Sequence, residues 1–253
     1  MGKRFLTAVG RLIGSAALCE LAREANENKP ILRTHDRFGR RIDRVEYHAS
    51  YHELMRLAYA SKVHSLSWTD NRPGAQVARA AMSYLWNQGE NGIGCPNVMS
   101  YAVIPLLRAY PEVGRTWEAG MLSDHYDPRH VPASQKAGLT MAMSMTEKQG
   151  GSDLRANMTT AEATGNPHEY VLNGHKFFCS APMGDIVLLT AQTKKGVSLF
   201  IAPRLLPDGR HNGIFLQRLK EKLGNHSNAS SEIELRGTIA TMIGEEGTVS
   251  VSL

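Results

Sequence analysis

Apolar residues recur at two different spacings in the two halves of the chain. Up to about residue 135 they fall three and four apart, the period of an amphipathic helix. Phe5, Val9, Leu12, Ile13 and Ala16 predict an opening helix. A polar stretch from Asn26 to Val45 follows, with a turn at Asp36-Arg-Phe-Gly39. Leu54, Leu57 and Ala58 predict a second helix, with Ser50 as its N-cap. A third helix follows Arg72-Pro73-Gly74, with Val77, Ala81, Tyr84 and Leu85 on one face and Gly89 near its end. Pro96 opens a fourth through Met99, Val103, Leu106 and Leu107, and a short fifth covers about Thr116 to Leu122.

From Leu139 the period becomes that of strands. The predicted strands are Leu139–Met145, Met158–Ala163, Glu169–Phe178, Ile186–Thr193, Val197–Pro203, Ile214–Leu219 and Ser231–Leu235. Gly150-Gly151, Gly165-Asn-Pro167, Pro207-Asp-Gly209 and Gly224-Asn225 punctuate them. Helices first and strands afterwards make an α+β chain: an all-helical N-terminal domain followed by an all-β domain.

The chain has 253 residues, 42% hydrophobic and 21% charged, enough for one large or two ordinary globular domains. A net charge of +5 suits acidic small molecules but does not single out nucleic acid. Cys19, Cys95 and Cys179 are odd in number and irregularly spaced, which argues for a reducing cytoplasm rather than a disulfide framework. Lys3-Arg4 and Ala16-Ala17-Leu18-Cys19 faintly resemble a processed leader, but Arg11 interrupts the apolar run and Leu18 is too large before a cleaved cysteine. Gly2 lacks the following serine or threonine of a myristoylation signal, because Leu6 stands there. No run reaches the length of a membrane span, and the expected location is cytoplasmic.

Two segments carry the chemistry. Met143-Ser-Met-Thr-Glu-Lys-Gln-Gly-Gly-Ser-Asp153 is a polar, glycine-rich turn after a strand. Asn173-Gly-His-Lys-Phe-Phe-Cys-Ser180 ends another strand with an aromatic, a spacer and a hydroxyl. Turn amides can meet phosphates, an aromatic can wall a planar ring, and a hydroxyl can bond the ring's edge. Gly-Gly-Ser-Asp alone is more commonly an ordinary loop, and Phe177-Phe178 alone is more commonly core; together they favour a cofactor site. Glu147 and Asp153 could be paired catalytic carboxylates, but their place beside the turn favours capping. Met141, Met143 and Met145 at period two predict the inner face of one strand. His125, Asp127 and His130 offer three metal ligands without a second cluster, and no metal is expected. Arg37, Arg40, Arg41 and Arg44 surround Phe38 in the main basic cluster.

The pair of motifs resembles the middle domain of the acyl-CoA dehydrogenase flavoproteins. With Arg218-Leu-Lys-Glu-Lys-Leu-Gly-Asn-His-Ser-Asn-Ala-Ser230, the chain resembles the alkylation-response (AidB-like) branch from about Gly14 to Gly247. That resemblance implies a helical domain at 1–135, a β-barrel flavin-binding domain at 136–243, and a tail at 244–253 where a C-terminal four-helix domain would begin. It implies FAD as cofactor, an acyl-CoA or related thioester as substrate, a homo-oligomer, and the catalytic base in the C-terminal domain, leaving no catalytic residue here. The chain is therefore expected to be a truncated, inactive fragment, with Val249-Ser-Val-Ser252 alternating like a strand or frayed tail.

The flavin contacts it implies are Met143, Ser144, Met145, Thr146, Gly150, Gly151, Ser152, Phe178, Cys179 and Ser180. Thr146 would face the ring, Ser152 the pyrophosphate, Phe178 the flavin face and Ser180 the edge near N5. Phe178 stands where many members have tryptophan. His226 stands where many have arginine, in a segment read as a capped turn outside the site. The alternative function is a DNA-associated, alkylation-protective flavoprotein with weak or vestigial dehydrogenase activity.

Overall fold

A computed structural model describes residues 3–249; Gly2 and the end of the predicted tail, from Ser250, lie outside the described residues. The opening apolar pattern folds as two helices, α1 (Lys3–Ile13) and α2 (Ala16–Glu27), bent by 54°. Ser15 makes the break: its backbone is extended, and its hydroxyl oxygen accepts from the Leu18 amide at 3.2 Å, capping α2. No single helix among the described residues is long and apolar enough to cross a membrane.

The polar stretch after α2 is a hairpin, β1 (Ile31–His35) and β2 (Arg41–Glu46), rather than a loop. Asp36 Oδ1 organises its turn by accepting from the Phe38 and Arg40 amides, and Gly39 takes a positive φ of 79°. α3 (Ala49–Ala60) is capped by His48, whose Nδ1 accepts from the Ser50 amide. Ser50 is the second residue of the helix, where its hydroxyl donates to Glu24. A short α4 (Leu66–Thr69), α5 (Ala75–Gly89), α6 (Gly94–Ala109) and α7 (Pro111–Leu122) complete the helical layer. The proline at its first turn starts α7 at Pro111, earlier than predicted. On α5 the predicted face is divided: Val77 is 73% and Tyr84 68% exposed, Leu85 packs half-buried against the core, and Met82 and Trp86 enter it.

Seven strands form a closed barrel: β3 (Met141–Ser144), β4 (Thr160–Ala163), β5 (Glu169–Ser180), β6 (Ile186–Thr193), β7 (Gly196–Pro203), β8 (Ile214–Leu219) and β9 (Ser230–Ile243). Their order is β3-β5-β4-β6-β7-β9-β8; the additional β5–β9 pairing closes the ring, β3 also pairs with β6, and β8 is joined to β9 alone. β6 and β7 are buried along nearly their whole length, which explains their unbroken apolar runs. One face, with Val187, Leu189, Phe200 and Ala202, fills the barrel. The other, with Ile186, Leu188, Leu199 and Ile201, packs against Val103, Ile104 and Leu107 of α6. Met141 is buried in that second cluster, and Met143 and Met145 pack against it, so the three methionines share a face.

Glu90 latches the two layers. Its carboxylate accepts from the Gly92 and Ile93 amides, from the Asn26 amide group and from the Ser227 hydroxyl. A second buried carboxylate, Glu147, meets Lys176 of β5 at 2.6 Å with both side chains fully inaccessible. Glu147 also accepts from the Met158 amide and the Thr159 hydroxyl. Burial pushes the Glu147 carboxyl up, but hydrogen bonds from Lys176, Thr159 and the Met158 amide outweigh it and hold the group at about 2.

Removing one partner leaves a buried, uncompensated charge, so Lys176→Met is expected to cost about 3–5 kcal/mol in urea unfolding, and Lys176→Met with Glu147→Leu distinctly less. The depressed carboxyl adds stability that is complete above its unfolded value near 4.5 and lost as pH falls through about 2. The acid limb of the stability curve is therefore expected to flatten in the double variant, read from urea midpoints between pH 5 and 2.

Candidate functional site

The ends of β3 and β5 lie side by side, with Met143 opposite Ser180. The Ser144 hydroxyl donates to the Phe178 carbonyl at 2.8 Å, and the Phe177 amide donates to the Thr146 carbonyl at 2.8 Å. The register of β5 against β9 shifts between Lys176 and Cys179. Strict alternation would put Lys176 and Phe178 on one face, but the bulge changes the phase. Lys176 and Cys179 point in, and the two phenylalanines between them are turned out, Phe178 to 44% exposure.

Phe177 and Phe178 meet edge to face at 5.1 Å between centroids. Lys220, from the segment after β8, sets its ammonium 3.1 Å from the Phe177 ring centroid and 4.6 Å from that of Phe178. It also pairs with Glu232 at 2.6 Å, and hydrogen bonds from Arg218 and Lys220 hold that carboxyl at about 2. Lys220 belongs to the segment expected outside the site; its place in the motif at 218–230 is the sequence signal, but only the pairing of β8 with β9 brings it here.

Beyond β3 the chain makes a turn closed by the Glu147 amide on the Gly150 carbonyl and the Gly150 amide on the Glu147 carbonyl. Asn157 fastens its base by donating to the Met145 carbonyl at 2.7 Å. Asp153 accepts from the Arg155 amide and caps a 3₁₀ turn, Leu154–Ala156. Glu147 and Asp153 are thus both spent on structure. The two glycines differ. A Cβ on Gly150 would come within 2.8 Å of the Asp153 carbonyl and the Asn157 side chain, so internal packing rather than approach to a phosphate demands that glycine. Gly151 is exposed and faces only Thr146, at 3.4 Å.

The predicted residues therefore divide into three groups. Thr146, Gly151, Ser152, Phe178 and Ser180 form an accessible ledge. Among the described residues the hydroxyls of Thr146, Ser152 and Ser180 and the amides of Gly151 and Ser152 are committed to no protein partner. Ser144, Gly150 and Cys179 are buried behind it, and burial pushes the Cys179 thiol up to about 12. Met143 and Met145 are half-buried between ledge and core. An aromatic plane flanked by free hydroxyls and a turn with free amides can hold a planar, phosphate-bearing molecule.

The remaining candidates lie elsewhere. Asp127 is held at about 2, chiefly by Arg129, and His130 Nδ1 meets Arg204 Nη1 at 2.9 Å. Among the described residues no group of three or more His, Cys, Asp or Glu is placed to hold a metal. The basic cluster is divided: Arg37 lies over Phe38 at 4.5 Å, whereas Arg41 turns in to Asp43 and the Leu216 carbonyl. His226 Nε2 bonds the Lys222 carbonyl within the turn leading to β9.

Residues 1–128 match the family described as the adaptive response protein AidB N-terminal domain, and residues 142–238 match the acyl-CoA dehydrogenase middle domain. The chain belongs to the acyl-CoA dehydrogenase family, in its AidB branch. It is 47% identical to AidB of Escherichia coli (strain K12) across 96% of this chain and 45% of that protein. It is 28% identical to acyl-CoA dehydrogenase family member 11 of Caenorhabditis elegans across 90% of this chain and 38% of that one. The crystal structure of that nematode protein with C11-CoA superimposes with a TM-score of 0.81 at 26% identity, covering 91% of this chain and 40% of the other. A glutaryl-coenzyme A dehydrogenase complexed with glutaryl-CoA shares the fold, with a TM-score of 0.70 at 16% identity over 98% of this chain and 58% of the other. The chain spans less than half the length of the two curated relatives.

The unequal glycines give a direct check. Gly150→Ala is expected to destabilise the protein by about 1–3 kcal/mol through overpacking. Gly151→Ala should change stability by less than about 0.5 kcal/mol; matched thermal denaturation of the two variants reads the difference.

Proposed function

We propose that this chain carries the flavin platform of an FAD-dependent acyl-CoA dehydrogenase of the AidB type, serving the α,β-dehydrogenation of an acyl-CoA thioester. The observation that carries the reading is the exposed Phe178 face, flanked by uncommitted hydroxyls and by the Gly151-Ser152 turn. The AidB-type relationship and the C11-CoA complex of the nematode relative support the substrate class. Cys19, Cys95 and Cys179 are all free thiols, consistent with a cytoplasmic setting.

Bound FAD supplies the hydride acceptor for the substrate's β-carbon. The chain's residues bind and orient it. Phe178 walls the ring, Thr146 and Ser180 offer hydroxyl donors to its polar edge, and the Gly151-Ser152 amides with the Ser152 hydroxyl receive a phosphate. Met143 and Met145 provide apolar surface beside the ring. Ser144 and Cys179 act behind it, keeping β3 and β5 in register so that Thr146 and Ser180 stay together. Lys220 fixes the aromatic pair from outside and adds positive potential. Removal of the α-proton is assigned to none of the described carboxylates near this ledge. Glu147 is neutralised by Lys176, Glu232 by Arg218 and Lys220, and Asp153 caps its own turn.

The test is the visible spectrum of the chain after incubation with FAD and gel filtration. A retained flavin band is expected, with retention about 3- to 10-fold weaker in Phe178→Ala. Anaerobic acyl-CoA should leave the band of the isolated chain unbleached. A folded, monodisperse wild-type protein that elutes colourless would overturn the reading.

A further inference from the structure

At the other end of β3 from the flavin ledge lies a second cavity, of about 310 Å³. Thr140, at its wall, and Thr146, on the ledge, are six residues apart, at most about 20 Å of extended chain. Arg44, His52, Tyr126, His130, Lys136 and Arg204 contribute the groups that decide its character. It is formed where the β1–β2 hairpin and the loop after α7 meet the barrel.

Arg204 is 4% exposed, and it has no carboxylate of its own. Its Nε donates to the Gly184 carbonyl at 3.2 Å and its Nη1 to His130 Nδ1 at 2.9 Å. Among the described residues Nη2 donates to nothing. Backbone bonds fix the residue: its amide donates to the Asp185 carbonyl, and its carbonyl accepts from the Asn212 amide.

The acidic groups around the cavity are already spent. Asp185 neutralises Lys136 at 2.6 Å, Asp127 is held by Arg129, and Glu46 is paired with Arg33. Arg44, at the exposed mouth, makes no ion pair among the described residues. The histidines add no negative charge. Burial, helped by the charge on Arg204, pushes His130 down to about 4, so its Nδ1 accepts from the guanidinium as a neutral ring. His52 is also pushed down, chiefly by burial, and its Nδ1 is engaged with the Tyr126 hydroxyl at 2.9 Å. Asp185 acts on Arg204 through space, but among the described residues no carboxylate forms an ion pair with Arg204, which is buried, or with Arg44, at the opening.

A buried guanidinium with a free end calls for an anionic partner, because an unpaired buried charge is costly and guanidinium geometry matches carboxylate and phosphate oxygens. The volume is at the lower end of that of small-molecule sites. We propose that this cavity is a binding site for a small organic anion with a carboxylate or phosphate group, held by Arg204 Nη2 and drawn in by Arg44. The site is separate from the flavin ledge and does not depend on flavin binding.

The test is a titration of the ¹⁵N-labelled chain with inorganic phosphate and, separately, acetate, at constant ionic strength kept with chloride. The readout is the Arg204 Nε–H resonance, assigned through bonds and protected from exchange with water by its hydrogen bond to the Gly184 carbonyl. A saturable shift is expected with at least one anion, with a midpoint about tenfold higher in Arg44→Gln, an exposed substitution that leaves the fold intact. Response to phosphate alone assigns a phosphate-bearing ligand, and to acetate alone a carboxylate. A resonance unmoved by both anions, or moved equally in wild type and Arg44→Gln, would overturn the proposal. Arg204→Lys gives a second reading where it folds: it should abolish anion-dependent thermal stabilisation that depends on Arg44.

Discussion

The buried Glu147–Lys176 pair is the constraint around which the barrel's business end is organised. Two charges without water can stay together only if each finds its full set of partners, and here those partners come from three separate stretches of chain. Glu147 belongs to the turn after β3, Lys176 to β5, and Thr159 to the segment entering β4. Fixing one carboxylate therefore fixes three backbones. The inner half of the glycine turn is held rigid, and the outer half, Gly151 and Ser152, is left with its polar groups unspent. The bulge after Lys176 belongs to the same arrangement: with the lysine pointing in, the extra residue turns Phe177 and Phe178 outward.

The helical layer braces this arrangement from outside. β6 and β7 present apolar side chains on both faces, so the barrel cannot stand in water on that side without α6 and α7. Glu90 makes the same connection in polar terms, since the carboxylate that orders the start of α6 also accepts from Ser227, just before β9. Positions of helices and of the candidate site are thus coupled through packing and a buried hydrogen-bond cluster rather than through a flexible joint.

Much of this was legible in residue order, for identifiable reasons. β6 begins and ends where predicted because its apolar run is buried along nearly its whole length, and β8 also matches, with Ile214 and Leu216 buried and Gln217 and Arg218 exposed. The hairpin β1–β2 gives only its turn at Asp36–Gly39 to the sequence, because the side chains of its strands are mostly polar and half-exposed. One helix became two because Ser15 caps rather than continues. Phe178 and Ser180 have roles that a motif suggests; Lys176 and Lys220 stand in the same motifs, but their roles are not legible there. Their partners lie 29 and 12 residues away and meet them only across strands. Gly150 shows a subtler limit: the residue was noticed for its chemistry toward a ligand, whereas its necessity comes from the Asp153 carbonyl behind it.

The long β5–β9 ladder, running from Glu169 opposite Thr241 to Ser180 opposite Ser230, has a consequence for how the chain is made. β7 also needs β9, with Phe200 opposite Met242. During synthesis β5, β6 and β7 all emerge before the strand that covers them. At about 5–20 residues per second, the roughly 50-residue delay leaves an apolar sheet edge open for about 2.5–10 s. In that interval the open apolar edge is the kind of surface that chaperones bind, and the helical layer, whose residues have already emerged, can cover the outer face of β6 and β7.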